Sequence, residues 1–433
     1  MSDDGIAVRC GTVTLTVSEL RDAIRREQNA RTPPPGSLVL IRESNRLNAL
    51  IVSLAVREAQ AVPLLGDDRW DEQFWAELQA LLADPVDTDR TIEPNAWAVF
   101  SSGSSGAPRV ILRSAASWSQ SFAAVTKLLQ LTAESVLYLP GPLSSSLSLF
   151  SVAHARHLGA TIVLPATHGV GLADLAEVTA VHCTPFALQT IVEAIEAAKL
   201  PHRLRTALVG GANLDSRLRQ RAESQGIEVV SYYGAAELSF VAVDVDGLGF
   251  LPFPGVELRV ENETLWVHSA FVAAGYLGAA GSPSDAGSLG TAGSLQRQSG
   301  GWASVGDLVR QDSSGRLHFR GRQDDAIQSA ASTVVPEEVE TALRTIDGIV
   351  DAAVFGLPNT GVGKLVAAVL ELAPGLAPPT ASELRLKAST RLSPSHLPRR
   401  WFFTPHLPRT ANGKLARARL IKDALDGRFT KIV

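Results

Sequence analysis

Ser37-Leu-Val-Leu-Ile41, a helix-like run from Asn48 to Gln60, and then Ala61-Val-Pro-Leu-Leu65 decide the fold class. A short strand-forming run, a helical one and a second apolar strand-like run follow each other without a long connection. That alternation points to strands joined by crossover helices, which is an α/β fold with largely parallel sheets. The pattern recurs at Ser135-Val-Leu-Tyr-Leu139, at a helix from about Leu147 to Leu158, and at the strand Thr161-Ile-Val-Leu164.

Further along, the chain changes character. The segment from Gly278 to Gly301 is dense in Gly, Ala and Ser. It has too little apolar side chain to offset its ordering entropy, so it reads as a mobile surface loop. Strand-like runs Trp302 to Val305 and Leu317-His-Phe319 follow, and a break is expected at Arg322 to Asp325. Beyond it lies a compact α+β set. It comprises a helix from Pro336 to Ile346, strands near Val350 to Phe355 and Leu365 to Glu371, a helix capped by Ser382, and a basic tail. Pro336 suits a first helical turn, where its missing N–H has no intrahelical partner. The expectation is a large N-terminal domain, 1–321, of mixed β-sheets flanked by helices, and a small mobile α+β C-terminal domain, 322–433.

Bulk properties narrow the class. A chain of 433 residues, 45% hydrophobic and 19% charged, suits a globular enzyme of about two or three domains. The formal charge of -4 supplies no basic footprint for nucleic acid. Two cysteines, Cys10 and Cys183, make neither a disulfide framework nor a zinc cluster. The acidic opening Met-Ser-Asp-Asp-Gly is unlike a signal peptide, and apolar runs such as Ala49 to Val56 fall short of a membrane span of ~20 residues. A cytoplasmic location is expected.

Four segments carry chemistry. Ser101-Ser-Gly-Ser-Ser-Gly106 lies between two strand-like runs, Trp97-Ala-Val-Phe100 and Arg109-Val-Ile-Leu112. Polyphosphate binding needs clustered backbone N–H groups, donating hydroxyls and no bulky Cβ; this loop offers all three, although a flexible hairpin would read the same way. It is not a Walker loop, since no Gly-Lys-Ser/Thr follows and no helix is expected next. Gly210-Gly-Ala212 and Tyr233-Gly234 each follow a strand, at the carboxyl ends where ligands gather in open α/β sheets; ordinary strand-to-loop turns are the alternative. Asp307, beside Gly306, is apt for gripping a diol, or else marks a surface turn. Lys414 closes Pro408-Arg-Thr-Ala-Asn-Gly-Lys414 and reads as a catalytic cation, a generic basic tail with Arg409, Arg417 and Arg419 being the alternative.

Taken in this order, together with Tyr233-Gly-Ala-Ala-Glu237, Gly306-Asp307 and Gly321-Arg-Gln-Asp-Asp325, these segments resemble the core motifs of the adenylate-forming enzymes. That superfamily holds acyl-CoA synthetases, peptide-synthetase adenylation domains and luciferases. The resemblance runs from about Leu15 to Arg419, and before Phe100 it is one of pattern alone. It implies that ATP and Mg²⁺ are used to turn an acid into its adenylate. By resemblance, Ser102, Gly103, Ser104, Ser105, Gly106 and Arg109 would cradle the phosphates, while Gly210, Gly211, Ala212, Tyr233 and Gly234 would hold adenine. Glu237 would help hold Mg²⁺, a metal that requires hard oxygen donors. Asp307 and Arg322 would take the ribose, and Asp324 would be the interdomain hinge. Lys414 would bridge acid and nucleotide, because an anionic carboxylate attacking an anionic phosphate needs a cation holding both in line.

Several positions depart from the family pattern. Arg109 stands where Lys-Gly usually continues the loop, and Ala236 replaces a phosphate-binding Thr. The usual Lys-x-x-Gly after the hinge reads Gln328-Ser-Ala-Ala331, with Thr333 for a frequent arginine. The methyl group of Ala331 would narrow the channel through which pantetheine passes. The acceptor is therefore CoA or a carrier-protein thiol, or else an amine; a nitrite-activating diazotase and a degenerate nucleotide-binding regulator are the rival readings. Gly141-Pro-Leu-Ser-Ser-Ser-Leu147 lacks the aspartate that pairs an α-amine, which argues against an amino acid substrate. His154 and His157, at i, i+3, lack a third metal ligand nearby and read as hydrogen-bonded or partly exposed side chains, as does His182. No Gly-x-Ser-x-Gly elbow surrounds Ser104. Glu337, Glu338 and Glu340 read as negative charge at a helix N-terminus.

Overall fold

The computed structural model describes residues 3–83, 92–100, 109–199, 201–277, 295–322, 326–329, 332–359, 363–410 and 413–433. Strand Leu38–Ile41 lies parallel to Val62–Leu65, with helix Arg46–Glu58 as the crossover between them. The helix begins two residues before Asn48 because Asn45 caps it: the Asn48 N–H donates to Asn45 Oδ1 at 3.0 Å. Every residue from Ala49 to Val56 is buried, so this apolar run is a core helix covered on several sides.

Among the described residues, the largest sheet has nine strands. Its parallel centre runs Glu228–Ala235, Thr206–Val209, Ala180–Cys183, Val136–Tyr138, Thr161–Leu164 and Ile6–Cys10, with antiparallel strands at both edges. Helix Ser146–Leu158 starts where Ser145 Oγ accepts the Ser148 N–H at 3.2 Å, and it stops at Gly159, whose left-handed φ of 77° ends a helix without strain. Helix Pro185–Ala198 is opened by Thr184 as cap and Pro185 in the first turn. Both helices start at carboxyl ends of central strands, so their first turns lie at the same end of the sheet. Strand Trp97–Phe100 pairs antiparallel with Val110–Arg113, which starts one residue later than expected; residues 101–108 between them lie outside the described residues. A further six-stranded sheet includes Thr264–His268, Asp307–Gln311 and Leu317–Arg322.

From Ile327 onward the chain builds its own six-stranded sheet around strands Ile349–Asn359 and Gly363–Leu372. Val339, Leu343, Val354, Val366, Leu370, Leu384 and Trp401 form a core distinct from that of the larger part. The molecule is thus a mixed α/β protein with a large N-terminal part and a small C-terminal α+β part. No helix among the described residues is long and apolar enough to cross a membrane.

Four expectations are corrected. Thr380, not Ser382, caps helix Ala381–Ala388, because Thr380 and Glu383 satisfy each other's backbone N–H groups in a capping box. The helix at Pro336 ends at Arg344, with Thr345 and Ile346 in the turn that follows. Glu340 is not surface charge at a helix end: it is buried, accepts the Val354 N–H at 2.8 Å and pairs with Arg417 at 2.7 Å. Arg417 also holds Glu337, and Arg320 pairs with Glu338, so these carboxylates tie segments together. Of the segment from Gly278 to Gly301, residues 278–294 lie outside the described residues, and Gln296–Arg297 is a short strand pairing with Ala303–Ser304.

Candidate functional site

A cavity of about 760 Å³ opens at the carboxyl ends of the central strands and is covered by the C-terminal segment around Lys414. Arg109, Gly211, Gly234, Glu237, Arg322 and Lys414 line it together, although they are up to 305 residues apart (414 − 109). Gly210, Ala212, Tyr233 and Asp307 are not on its wall. Asp307 stands directly behind: it opposes Arg322 in the strand register and accepts from Arg322 Nε at 3.2 Å. Ser102, Gly103, Ser104, Ser105, Gly106, Asp324 and Ala331 lie outside the described residues. Gln328 and Thr333 face each other across an antiparallel hairpin.

Glu237 sits at the tip of a hairpin. Strand Glu228–Ala235 pairs antiparallel with Ser239–Asp244, and a bulge falls between Tyr233 and Gly234. The sequence reading put Tyr233 and Gly234 after the strand; they are inside it, because the antiparallel partner prolongs the ladder to Ala235. Phe319 stacks on Tyr233 at 18° between ring planes. The Glu237 carboxylate is buried and accepts the Tyr276 hydroxyl at 3.0 Å. Its backbone carbonyl accepts the Ala273 N–H at 2.7 Å.

Arg113 supports this turn from below. Its guanidinium is buried, donates to the carbonyls of Ala236 and Phe271, and lies 5.6 Å from the centre of the Trp118 ring. Burial pulls its pKa down to about 9, with Glu237 opposing that fall, so it remains a cation at neutral pH. Burial and the adjacent Glu237 carboxylate push the Tyr276 phenol well above its usual range, so it stays a hydrogen-bond donor.

Lys414 arrives on a tight backbone hairpin. The Thr410 N–H donates to the Lys414 carbonyl at 2.7 Å, the Ala416 N–H to Pro408 at 2.9 Å, and Gly413 takes φ of 76°. Arg409 clamps the same loop through the Gly413 carbonyl at 3.0 Å and pairs with Asp351. The loop rests on the exposed ring of Phe186, at the start of helix Pro185–Ala198; Arg409 lies 5.2 Å from that ring's centre. A Cβ built on Gly211 would stand 3.5 Å from Lys414 Cε and 3.6 Å from Thr184 Cγ2, so the lysine stem passes over bare glycine backbone. Burial and then Arg322 lower the ammonium's pKa, against Glu237 and Asp307, which raise it.

Sequence reading missed several wall residues. Asp67 is buried and held by two nitrogens of the Arg69 guanidinium, Nε at 2.8 Å and Nη2 at 2.7 Å. It is therefore already paired as it faces the cavity. Tyr232 and His182 line the cavity and hydrogen-bond to each other at 3.1 Å. The expected hydrogen bonding of His154 is met by Thr126 at 2.7 Å. The available signal was parity: strand residues 180 and 182, or 230 and 232, share a face.

Comparison with known proteins agrees with this arrangement. The model of the AMP-binding enzyme family matches residues 39–277, and that of the AMP-binding enzyme C-terminal domain matches residues 338–414. The chain belongs to the AMP-binding enzyme family. It is accordingly an adenylate-forming, ATP-dependent ligase. Over 368 residues it is 25% identical to the uncharacterized acyl-CoA ligase YhfT of Bacillus subtilis, a match that spans 80% of this chain and 72% of that one. It shares its fold with o-succinylbenzoate CoA synthetase MenE of Bacillus subtilis, solved with its acyl-adenylate intermediate, at TM-score 0.79 and 21% identity over 97% of this chain and 96% of that one. The amide bond synthetase McbA of Marinactinospora thermotolerans has the same fold, at TM-score 0.73 and 22% identity over 96% of each chain.

Proposed function

We propose that this enzyme joins a carboxylic acid to the α-phosphate of ATP, releasing pyrophosphate, and passes the acyl group from the adenylate to CoA or a carrier thiol. The observation that carries this reading is the delivery of Lys414, from the C-terminal sheet, onto Gly211 in the same cavity as Glu237 and Arg322. In the first step a carboxylate oxygen bonds to the α-phosphorus as the bond to the β-phosphate oxygen breaks. Lys414 and Arg109 offset negative charge on that path and hold the two anions in line. Asp307, steadied by Arg322, accepts ribose hydroxyls. Gly210, Gly211 and Ala212 form the strand end proposed to meet adenine, Gly210 lying under the Tyr232 ring, and Phe319 fixes the Tyr233 ring beside it.

Mg²⁺ fits this donor set. It binds through one or two carboxylates plus substrate phosphates rather than in an all-protein cage. No cluster of three or more His, Cys, Asp or Glu exists among the described residues, and Glu237 stands alone on its wall with one oxygen turned to Tyr276. Bound there with ATP, the ion would neutralise phosphate charge; Tyr276 orients the Glu237 carboxylate for it, and Arg113 holds the turn that carries it.

We divide the chain at Gly321/Arg322, with Asp324 as pivot and Ala331 on the acceptor side, a reading supported by the separate core that begins at Ile327. A swing of the small domain would withdraw Lys414 after adenylation and present another face to the acceptor. A cytoplasmic location fits a reaction that consumes ATP. The test is pyrophosphate release from Mg-ATP by the purified protein across acids and nitrite, each with and without CoA and a simple amine. Acid-dependent release that CoA accelerates supports the thioester reading. Acceleration by the amine alone replaces the acceptor, and ATP binding without release under any condition refutes the enzyme reading.

A further inference from the structure

The end of the cavity beside Gly210 is closed by a wall with a resolved hydrogen-bond order. Ser151 Oγ donates to the Leu147 carbonyl at 3.0 Å, which leaves it an acceptor toward His182 Nδ1 at 2.5 Å. The His182 tautomer with its proton on Nδ1 completes this chain, its Nε2 accepting the Tyr232 hydroxyl at 3.1 Å. The chain Tyr232 to His182 to Ser151 to Leu147 is complete and neutral. Around it, Phe240 packs 4.6 Å from the Tyr232 ring and 4.9 Å from Phe150, with Phe253 stacked behind at 4.9 Å. Tyr232 cannot be pushed aside without stranding the buried His182 acceptor.

The wall is also close to the reacting end. A Cβ on Gly210 would fall 2.2 Å from Tyr232 Cε1, so the ring lies directly on that glycine. Lys414 passes over the next residue, Gly211, whose Cα is about 3.8 Å from that of Gly210. An acid whose carboxylate is held by Lys414 therefore meets the Tyr232 ring within a few carbon atoms. Its tail meets aromatic faces and a hydrogen-bond chain, and the charged side chains on the wall away from the Glu237 turn are already engaged: Arg69 holds Asp67, His168 lies against Asp68, and Arg409 pairs with Asp351.

From this juxtaposition we infer that the substrate is a short aliphatic acid with an uncharged tail, and that Tyr232, locked by His182 and Ser151, sets the length limit. The inference rests on the adenylation reading above. Its test is a binding series of hydrolysis-resistant acyl-sulfamoyl adenosines, acetyl, butyryl, hexanoyl, dodecanoyl and β-alanyl, measured by calorimetry on the full-length protein. Acetyl or butyryl should bind best, and dodecanoyl at least about tenfold more weakly, since one methylene too many or too few in a tight pocket is worth 10-fold or more. The cationic β-alanyl analogue should likewise fall by about tenfold or more. Tyr232→Ala should reverse the length preference, and Tyr232→Phe, which keeps the ring but loses the hydrogen bond to His182, should weaken it without reversing it, an inversion that loss of stability alone would not produce. Should Tyr232→Ala fail to fold, the wild-type ranking decides. Dodecanoyl or β-alanyl binding as tightly as acetyl overturns the inference and leaves adenylation standing; binding of none of the series overturns both.

Discussion

Lowering the pH from 6.5 to 5.0 should destabilise the N-terminal part of the protein by about 3 kcal/mol. His182 and His154 are both buried, and burial pulls their pKa values down to about 3 and about 4 from 6.5. The native state therefore keeps both neutral at pH 5, while the unfolded chain protonates both below pH 6.5. The unfolded state then binds more protons, so stability is fully present above pH 6.5 and declines as the pH falls toward the folded values. Each histidine contributes up to about 1.36 kcal/mol per pH unit, and because the unfolded imidazole is only half protonated at pH 6.5 the integral to pH 5.0 is between about 1 and 2 kcal/mol each and about 3 kcal/mol for the pair. Unfolded carboxylates titrate mostly below pH 5 and add little there. Urea titrations at pH 7.0, 6.5, 5.75 and 5.0, followed by tryptophan fluorescence, read the effect, since Trp118 packs edge-on to Phe150 at 5.9 Å in the same cluster. His154→Gln and His182→Gln should each halve the slope. An urea midpoint that stays flat between pH 6.5 and 5.0, or imidazole NMR signals titrating near pH 6.5, would refute the reasoning.

Lys414→Ala should reduce pyrophosphate release by on the order of 10² or more while ATP still binds, because one preorganised charge is lost at the reacting atoms; single-turnover assays separate the two. The rate should also fall on the alkaline side as Lys414 loses its proton, with a midpoint below the ordinary lysine value of 10.5, since burial lowers this ammonium. Gly211→Ala should slow adenylation, because it adds a methyl 3.5 Å from Lys414 Cε at a residue whose φ is 88°, a conformation glycine adopts freely; unchanged kinetics would show that the lysine stem does not pass there during turnover. Arg417→Met should destabilise the C-terminal part by about 3–5 kcal/mol, since it leaves the buried Glu340 carboxylate without its cation. Adding Glu340→Gln should recover much of that loss, and urea unfolding of the two variants checks it.

The parts of this molecule that were legible in sequence are those fixed by local periodicity and backbone chemistry. The strand-helix-strand unit at residues 37–65 and the helix near Leu147 to Leu158 announce themselves through apolar spacing, while the caps that set the helix starts, Asn45 and Ser145, were not read. The sheet continuing through Tyr233 was not legible, because a strand ends where its partner ends, and the partner Ser239–Asp244 lies beyond the hairpin turn. The same reason hid Glu340: its acidic neighbours suggested a solvated helix end, while the cation that buries it, Arg417, is 77 residues away.

The site divides along the same line. Motif residues such as Glu237 and Lys414 stand out because their chemistry is demanded by an anionic reaction. What orients them was silent in the sequence: Arg113 reads as one arginine at the end of a strand, and only the folded chain shows it buried under Ala236 and Phe271. A buried cation beneath the turn holds in place the backbone that carries Glu237, the carboxylate proposed to meet Mg²⁺, and Tyr276 fixes one of its oxygens. The departure at Ala236 is compatible with this, since the residue's contribution to the turn is a backbone carbonyl that any side chain supplies. Arg113→Met should therefore weaken Mg²⁺-dependent ATP binding more than binding of AMP without metal, a difference that calorimetry with and without Mg²⁺ reads directly. Equal losses in both would make Arg113 a support of the hairpin alone.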